Sequence, residues 1–475
     1  MVTALVRLLD VLDNQLGDGL EAALRSHHTH RLRRLGWGEV LPATDDGRYA
    51  PNRPLREGNR ASVLIDGEKA LASMASAIQA ARQQVHIAGW HSSPEFRLTR
   101  EPDAPTLRDL LATTAERVPV RLLLWAGPPL PVFQPTRSSV RRGCAEFTRD
   151  SKVRCVLDTR ERTMHCHHEK IVVIDDDLAF VGGVDFTALQ GDRHDSPRHP
   201  ADRPIGWHDM MMRIEGPVVA DVAEHFRQRW TEVAGENLPA PVVPPAIGGS
   251  TVQFVRTLPE KTYKFAPRGE FSILDAYLRA LRSAESLVYL ENQFLWSPEI
   301  TDVLIEKLRH PPTENFRVLL VLPRKPSNGA DTTRGQLGRL IEADNGRGGL
   351  LAATLTAHDG DNSVPIYLHA KLGIVDDRWM TIGSANLNEH SLFNDTETNL
   401  VTDDTELIRD TRFRLWSEHL QRPQSEVDGD PAAVVDRLWR PLAEDSSMHR
   451  LTLLPNVSRR AGRLQGPLRG LLVDG

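Results

Sequence analysis

His168-Glu169-Lys170-Ile171-Val172-Val173-Ile174-Asp175 and His369-Ala370-Lys371-Leu372-Gly373-Ile374-Val375-Asp376 spell one pattern, H-x-K-x4-D, in two places. The copies are in register, because each element of the second lies 201 positions after its counterpart (369 against 168, 371 against 170, 376 against 175). The segments that follow correspond too: Val181-Gly182-Gly183-Val184-Asp185 and Ile382-Gly383-Ser384-Ala385-Asn386. One coincidental match would be unremarkable in a chain this long. Two in register imply a unit used twice, and the copies read as halves of one site.

The residue types say what such a unit can do. The near-continuous aliphatic run between Lys and Asp reads as a strand buried on both faces. His and Lys, two apart, project from one face of such a strand. Together they form a cationic pocket of phosphate size. A free imidazole titrates near 6.5, so His can serve as nucleophile or proton donor near neutrality. Gly183 and Ser384 permit close backbone approach to a ligand, and Asp185 and Asn386 occupy equivalent places. The motif aspartates, Asp175 and Asp376, belong to the candidate catalytic set. Their odd separation from Lys nevertheless points them to the opposite strand face, which suits turn or interface hydrogen bonds. Better placed to orient the histidines are Asp209, before Met210-Met211-Met212-Arg213-Ile214, and Glu397, before Thr398-Asn399-Leu400-Val401. Their offsets from the preceding motif His, 41 and 28, place a 13-residue insertion within 190–206.

The sequence is identified at these residues as a member of the phospholipase D superfamily, whose mark is the duplicated H-K-D motif. Longer matches resemble its eukaryotic-type branch: Gly89-Trp90 with Ser93-Pro94-Glu95, Trp207-His208-Asp209, and Tyr289-Leu290-Glu291-Asn292-Gln293-Phe294. Asn394-Asp395-Thr396-Glu397 and Leu415-Trp416-Ser417-Glu418-His419 continue the likeness, which runs from about residue 60 to about 425. The resemblance implies hydrolysis of glycerophospholipids to phosphatidate and a headgroup alcohol through a phosphohistidine, with transphosphatidylation to other alcohols. It implies His168 as nucleophile and His369 as acid, an order the residues alone leave open. Lys170 and Lys371 would neutralise the phosphoryl oxygens with Ser384, Asn386 and backbone amides. Trp90, Glu291, Asn292 and Gln293 would contact substrate. The chemistry of the family needs no cofactor and no metal. Within the same superfamily a phosphatidyltransferase, such as a cardiolipin or phosphatidylserine synthase, and a nuclease are the alternatives.

The rest of the chain supplies the architecture. Strand and helix alternate: Val63-Leu64-Ile65, a helix near 70–82, Val85–Ala88, a helix near 106–117, then Val120–Trp125. Val288-Tyr289-Leu290 and Phe316–Val321 repeat that order in the second half. The fold class is therefore α/β: two similar halves with mostly parallel central sheets, related by a pseudo-twofold axis, the active site at their interface. The expected boundaries are an N-terminal helical extension (1–60), a first half (61–237), a Pro-rich linker (238–250), a second half (251–425) and a tail (426–475).

Composition narrows the setting. The 475 residues suffice for two domain-sized units. A net charge of −6 gives no bulk electrostatic case for nucleic acid. Three cysteines (144, 155, 166) without a C-x-x-C pair argue against a disulfide framework or structural zinc site. His165-Cys166-His167-His168 invites a metal reading, but His168 is claimed by the phosphoryl motif. No apolar run approaches a membrane span, and the N-terminus does not read as a signal peptide. A monomer acting on phospholipid at a membrane surface, with water or an alcohol as acceptor, is expected in the cytoplasm or peripherally on the inner membrane face. Leu5, Leu8, Leu9, Leu12 and Leu16, followed by His27, His28, His30, Arg31, Arg33 and Arg34, read as an amphipathic helix that packs on the body or meets anionic lipid. Loops 127–133 and 324–349 could contact lipid without standing out in composition. The tail, with Arg459, Arg460, Arg463 and Arg469, covers the body or stays mobile.

Overall fold

The computed structural model describes residues 19, 21–42, 47–129, 134–161, 165–201, 206–327, 330–359, 362–445 and 449–454. In chain order the first half contributes β1 (Leu55–Ile65), β2 (Val85–Gly89), β3 (Val120–Trp125), β4 (Arg154–Asp158), β5 (Ile171–Ile174), β6 (Leu178–Gly182), β7 (Trp207–His208) and β8 (Met210–Glu215). The second contributes β9 (Ser250–Leu258), β10 (Glu270–Phe271), β11 (Leu287–Asn292), β12 (Arg317–Val321), β13 (Leu350–Asp359), β14 (Asn362–Pro365), β15 (Tyr367–Leu368), β16 (Lys371–Val375), β17 (Trp379–Gly383), β18 (Glu397–Thr402) and β19 (Leu451–Leu453).

The two sheets have the same lateral order. The first runs β1-β8-β6-β5-β2-β3-β4. The second runs β9-β18-β17-β16-β11-β12-β13, with β19 added at its edge. Most strands of each sheet point one way: β1, β6, β2, β3 and β4 in the first, β9, β17, β11, β12 and β13 in the second. The reversed strands are β5 and β8, then β16, β18 and the added β19. The motif strands β5 and β16 are thus antiparallel insertions in a largely co-directional sheet. The sheets join where β1 pairs β9 antiparallel, Arg56 opposite Val252 and Asn59 opposite Ser250. Equivalent strands meeting antiparallel is the relation a twofold axis generates.

Alternation along the motif strands explains their apolar runs. Ile171 and Val173 face a core shared by both halves, while Val172 and Ile174 face a core belonging to the first half. Leu372 and Ile374 face the shared core in the second copy, and Val375 faces the opposite side. Helices cover both faces. In chain order these are α1 (21–35), α2 (Gly67–Ala80), α3 (Leu107–Ala115), α4 (Arg137–Thr148), α5 (Val219–Ala234), α6 (Ser272–Ser283), α7 (Pro298–Arg309), α8 (Ala330–Asp344) and α9 (Thr405–Leu420). Phe226 and Trp230 of α5 and Leu415 and Trp416 of α9 fill the shared core. Ser297 starts α7 by accepting the Ile300 amide, with Pro298 at the first helical position.

Some expectations change. Residues 55–60, assigned from the sequence to the N-terminal helical extension, extend β1 to 11 residues, because pairing with β9 supplies partners that local composition does not advertise. Within the basic run of α1, His28 and Arg31 turn inward while His27, His30, Arg33 and Arg34 stay exposed: His28 Nδ1 lies 2.6 Å from Glu299, and Arg31 donates to Glu260 at 2.7 Å and to the Phe393 carbonyl at 2.8 Å. The leucines at 5–16, the 130–133 end of the apolar loop and the arginines beyond 455 lie outside the described residues.

The motif aspartates close hairpins. Asp175–Asp176 and Asp376–Asp377 all have positive φ (53° to 61°), the geometry of a tight two-residue turn. The Asp175 carboxylate accepts the amides of Arg82, Gln83 and Gln84. Asp376 accepts those of Glu285, Ser286 and Leu287 and the Ser286 hydroxyl. Each holds the loop leading into the neighbouring strand. Replacing Asp376 with Ala strands several of these donors and is expected to lower unfolding stability by about 1–3 kcal/mol, read as an earlier urea midpoint with unchanged slope.

Candidate active site

The two motif strands meet across the seam through a reciprocal exchange of backbone bonds. The His168 amide donates to the Thr396 carbonyl at 2.9 Å, and the His369 amide donates to the His208 carbonyl at 2.8 Å. Beside them β7 pairs β15, Leu368 opposite His208, and His167 bridges Thr396. The side chains follow. His168 Nδ1 lies 3.0 Å from Glu397 Oε1, and His369 Nδ1 lies 2.6 Å from Asp209 Oδ2. The residues that follow Thr396 and His208 are those two carboxylates. Each half therefore supplies the acid that orients the other half's histidine. The motif offsets of 41 and 28, counted within each half, do not measure these pairs.

With Nδ1 bound to a carboxylate, the chemistry of each ring is left to Nε2. The two rings stand with centroids 6.4 Å apart in a T arrangement. Lys170 Nζ donates to the His168 carbonyl at 2.7 Å and lies 3.2 Å from Asp185. It also sits 5.8 Å from the centre of the Trp90 ring. Lys371 Nζ donates to the His369 carbonyl and reaches Gln293 Oε1 at 3.4 Å. Asn386 donates to the same Gln293 oxygen at 3.4 Å. Equivalent positions thus differ in charge, Asp185 beside one lysine and Asn386 beside the other.

The carboxylates are held differently as well. A Cβ on Gly183 would come within 2.1 Å of Asp209 Oδ1, so glycine is what lets the short Asp209 side chain reach across. Its counterpart Ser384 instead donates its hydroxyl to the longer Glu397, as does Ser391. Burial pushes Asp209 up to about 6, against the pull of Lys371, Arg193 and Lys170. Burial also raises Glu397 well above the ordinary carboxylate value, opposed chiefly by Lys170. Burial, then Lys371, Arg193 and Lys170, hold the His369 imidazole well below its usual value.

Not every sequence candidate joins this site. Asp175 and Asp376 sit at the far ends of β5 and β16, in the hairpin turns described above. Glu291 is directed to His208 (3.0 Å), His419 (2.8 Å) and Tyr289, rather than to the motif lysines. Burial works against its charge, yet His419 and His208 keep the carboxyl below its usual range. Asn292 accepts the Phe294 and Leu387 amides and so shapes a turn. Trp90 and Gln293 do reach the site. His167 bonds Thr396 (2.8 Å) and lies 3.2 Å from Asp158, while His165 lies 3.3 Å from Asp395.

Three neighbours of His369 escaped the sequence reading. Trp207 stacks obliquely at 4.3 Å between centroids, Tyr367 lies at 6.4 Å, and the Arg193 guanidinium covers Trp207 at 3.0 Å. Trp207 belonged to a quoted motif, but nothing in its spacing assigned it to the opposite half's histidine. Trp207 and Tyr367 also line a cavity of about 550 Å³ with Gln190, Arg324, Lys325 and Arg334.

Residues 77–206 match the family model described as "Phospholipase D", and residues 277–416 match "Cardiolipin synthase, PLD-like domain". The chain is 26% identical to "Phospholipase D A" of Dictyostelium discoideum, over 78% of this chain and 36% of that protein. It is 26% identical to "Phospholipase D alpha 4" of Arabidopsis thaliana (72% and 62%) and to "Phospholipase D2" of Bos taurus (76% and 50%). The chain thus spans about a third to three-fifths of the length of these relatives. Among solved structures, phosphatidylserine synthase of Haemophilus influenzae Rd KW20 superposes with a TM-score of 0.54 at 13% identity, covering 82% of this chain and 93% of that one.

The reciprocal pairing makes a thermodynamic prediction. In double-mutant cycles on urea unfolding, His369→Ala with Asp209→Asn should couple by about 0.5–3 kcal/mol, whereas His168→Ala with Asp209→Asn should be additive to within about 0.5 kcal/mol.

Proposed function

The chain belongs to the phospholipase D superfamily, in its eukaryotic-type branch, and from that premise we propose that it hydrolyses glycerophospholipids to phosphatidate and a headgroup alcohol. The observation that carries this reading is the pair of imidazoles, centroids 6.4 Å apart, each bound at Nδ1 to a buried carboxylate and each followed by a lysine. That gap accommodates one phosphodiester.

In the proposed cycle His168 Nε2 attacks phosphorus and the bond to the headgroup oxygen breaks, giving a phosphohistidine. His369 delivers its proton to the departing oxygen. Water then enters, His369 recovers a proton from it, and the phosphorus–nitrogen bond breaks to release phosphatidate. An alcohol in place of water gives the transphosphatidylation product by the same steps. Burial, with the charges of Lys371, Arg193 and Lys170, holds the His369 imidazole well below its usual value, and a bound phosphodiester anion supplies the negative charge that lets it carry a proton. Lys170 and Lys371, with Asn386 and Gln293, are placed to take the non-bridging oxygens, the kind of fixed donor set that contributes most to such catalysis. Asp209 and Glu397 act as positioning residues.

The protein works, on this reading, as a monomer on phospholipid at a membrane surface, from the cytoplasmic side and without nucleic acid. Among the described residues no helix is long and apolar enough to cross a membrane. Transfer to an alcohol acceptor is the second reading, favoured by the cardiolipin synthase-type match over residues 277–416.

Incubation with phosphatidylcholine vesicles and ethanol is expected to yield free choline and phosphatidylethanol, both absent with His369→Ala. Cleavage of DNA or of a bis-aryl phosphate with no lipid product would overturn the lipid assignment. A second expectation concerns pH. Glu397 accepts from His168 most strongly when ionised, and its carboxyl is held well above the usual 4.5. Activity should therefore fall as pH drops through a value above 4.5, and Glu397→Gln should remove that limb while lowering kcat by about 10²–10⁴-fold.

A further inference from the structure

We propose that Asp66, His199, His208 and Glu418 form a structural binding site for a divalent transition-metal ion of the zinc class, one residue away from the carboxylate that orients His369. All four side chains are buried. Three come from the first half: Asp66 between β1 and α2, His199 in the 190–206 insertion, and His208 in β7. Glu418 comes from α9 of the second.

The geometry is that of a coordination shell. His208 Nδ1 lies 2.8 Å from Asp66 Oδ1 and 3.3 Å from Glu418 Oε1. His199 Nε2 lies 3.0 Å from the same Glu418 oxygen and 3.7 Å from Asp66 Oδ2. All four donor groups fall within 4.8 Å of one another. A tetrahedral ion with bonds of about 2.0–2.2 Å separates its ligand atoms by about 3.3–3.6 Å, which is the scale of these contacts.

The proton inventory points the same way. Even with both rings doubly protonated, four N–H groups are available. One goes from His199 Nδ1 to Asp195 at 2.7 Å and one from His208 Nε2 to Glu291 at 3.0 Å. The two that remain point inward, to Glu418 and to Asp66 Oδ1. Asp66 Oδ2 is left buried without a hydrogen-bond donor among the described residues. A cation at the centre reaches every inward atom at once. The outward bonds are those that ligand histidines make, each giving its far nitrogen to a carboxylate, which fixes the tautomer and raises ligand basicity. Two carboxylates offset a divalent charge, and four protein donors leave no open position, as in a structural rather than a catalytic site. Arg450 braces the shell by donating to the carbonyls of Pro197, Arg198 and Glu418.

Such an ion would fasten the insertion and α9 beneath the His208 carbonyl that receives the His369 amide. The test starts from protein purified without a histidine tag, stripped with chelator and incubated with zinc chloride alone. After gel filtration, metal analysis should find one zinc per chain. The zinc should be lost in Glu418→Gln and His199→Gln, but retained in His165→Gln and His419→Gln, which alter the other two histidine clusters. Asp195→Asn should weaken zinc affinity by about 10–100-fold. X-ray absorption of the wild-type zinc form, which needs no variant to fold, should show four N/O neighbours near about 2.0 Å. Absence of retained zinc in wild type, retention by folded Glu418→Gln, or a sulfur or six-oxygen shell would each overturn the proposal.

Discussion

Everything in the site depends on an exchange of carboxylates across the seam. A histidine at a strand's entry is a poor catalyst unless its tautomer and ring orientation are held. Here the acids that hold it are placed by the opposite half, Glu397 behind His168 and Asp209 behind His369. The backbone enforces this before the side chains do, since the amide of each histidine is already bonded to the carbonyl preceding the other half's acid. The antiparallel pairing of β1 with β9 sets the register that makes both bonds possible at once. Symmetry here is the means by which four side chains are delivered to one point.

The halves are nevertheless not copies in chemistry. Asp209 is short and passes over the bare backbone of Gly183, whereas Glu397 is longer and is tied by the hydroxyls of Ser384 and Ser391. One lysine faces Asp185 and the other shares Gln293 with Asn386. Trp207, Tyr367 and the stacked Arg193 crowd His369, while Trp90 flanks His168 at 6.5 Å. Such inequality biases the two histidines toward different roles before any ligand arrives.

The repeat made much of this legible in the sequence. The period of 201 and the apolar runs announced two equivalent sheets, and the parity of Asp175 and Asp376 relative to the lysines pointed them away from the pocket. Position along one chain cannot say which half an acid serves, so Asp209 and Glu397 were visible as residues but not as crossed partners. Glu291 looked like a pocket residue from its motif, yet His208 and His419 claim it, and those partners come from distant segments. Residues 55–60 carry no strand pattern because their partners lie on β9. The basic stretch of α1 left packing on the body and contact with lipid both open, and only Glu260 and Glu299, from distant segments, reveal that His28 and Arg31 face protein.

The crossed acids have a consequence for how such a centre can come into being. Neither half, folded alone, contains a histidine together with the carboxylate that orients it, so each would lack both the second histidine and the acid that positions the first. Were the halves separate chains, competence would be second order in their concentration and would vanish on dilution. The stretch of 15 residues without helix or strand, 235–249, makes that encounter internal and replaces concentration by a fixed effective molarity. Joining the halves thus does more than hold them together. It frees the two partners to diverge independently, since a change near one histidine no longer has to be accepted twice.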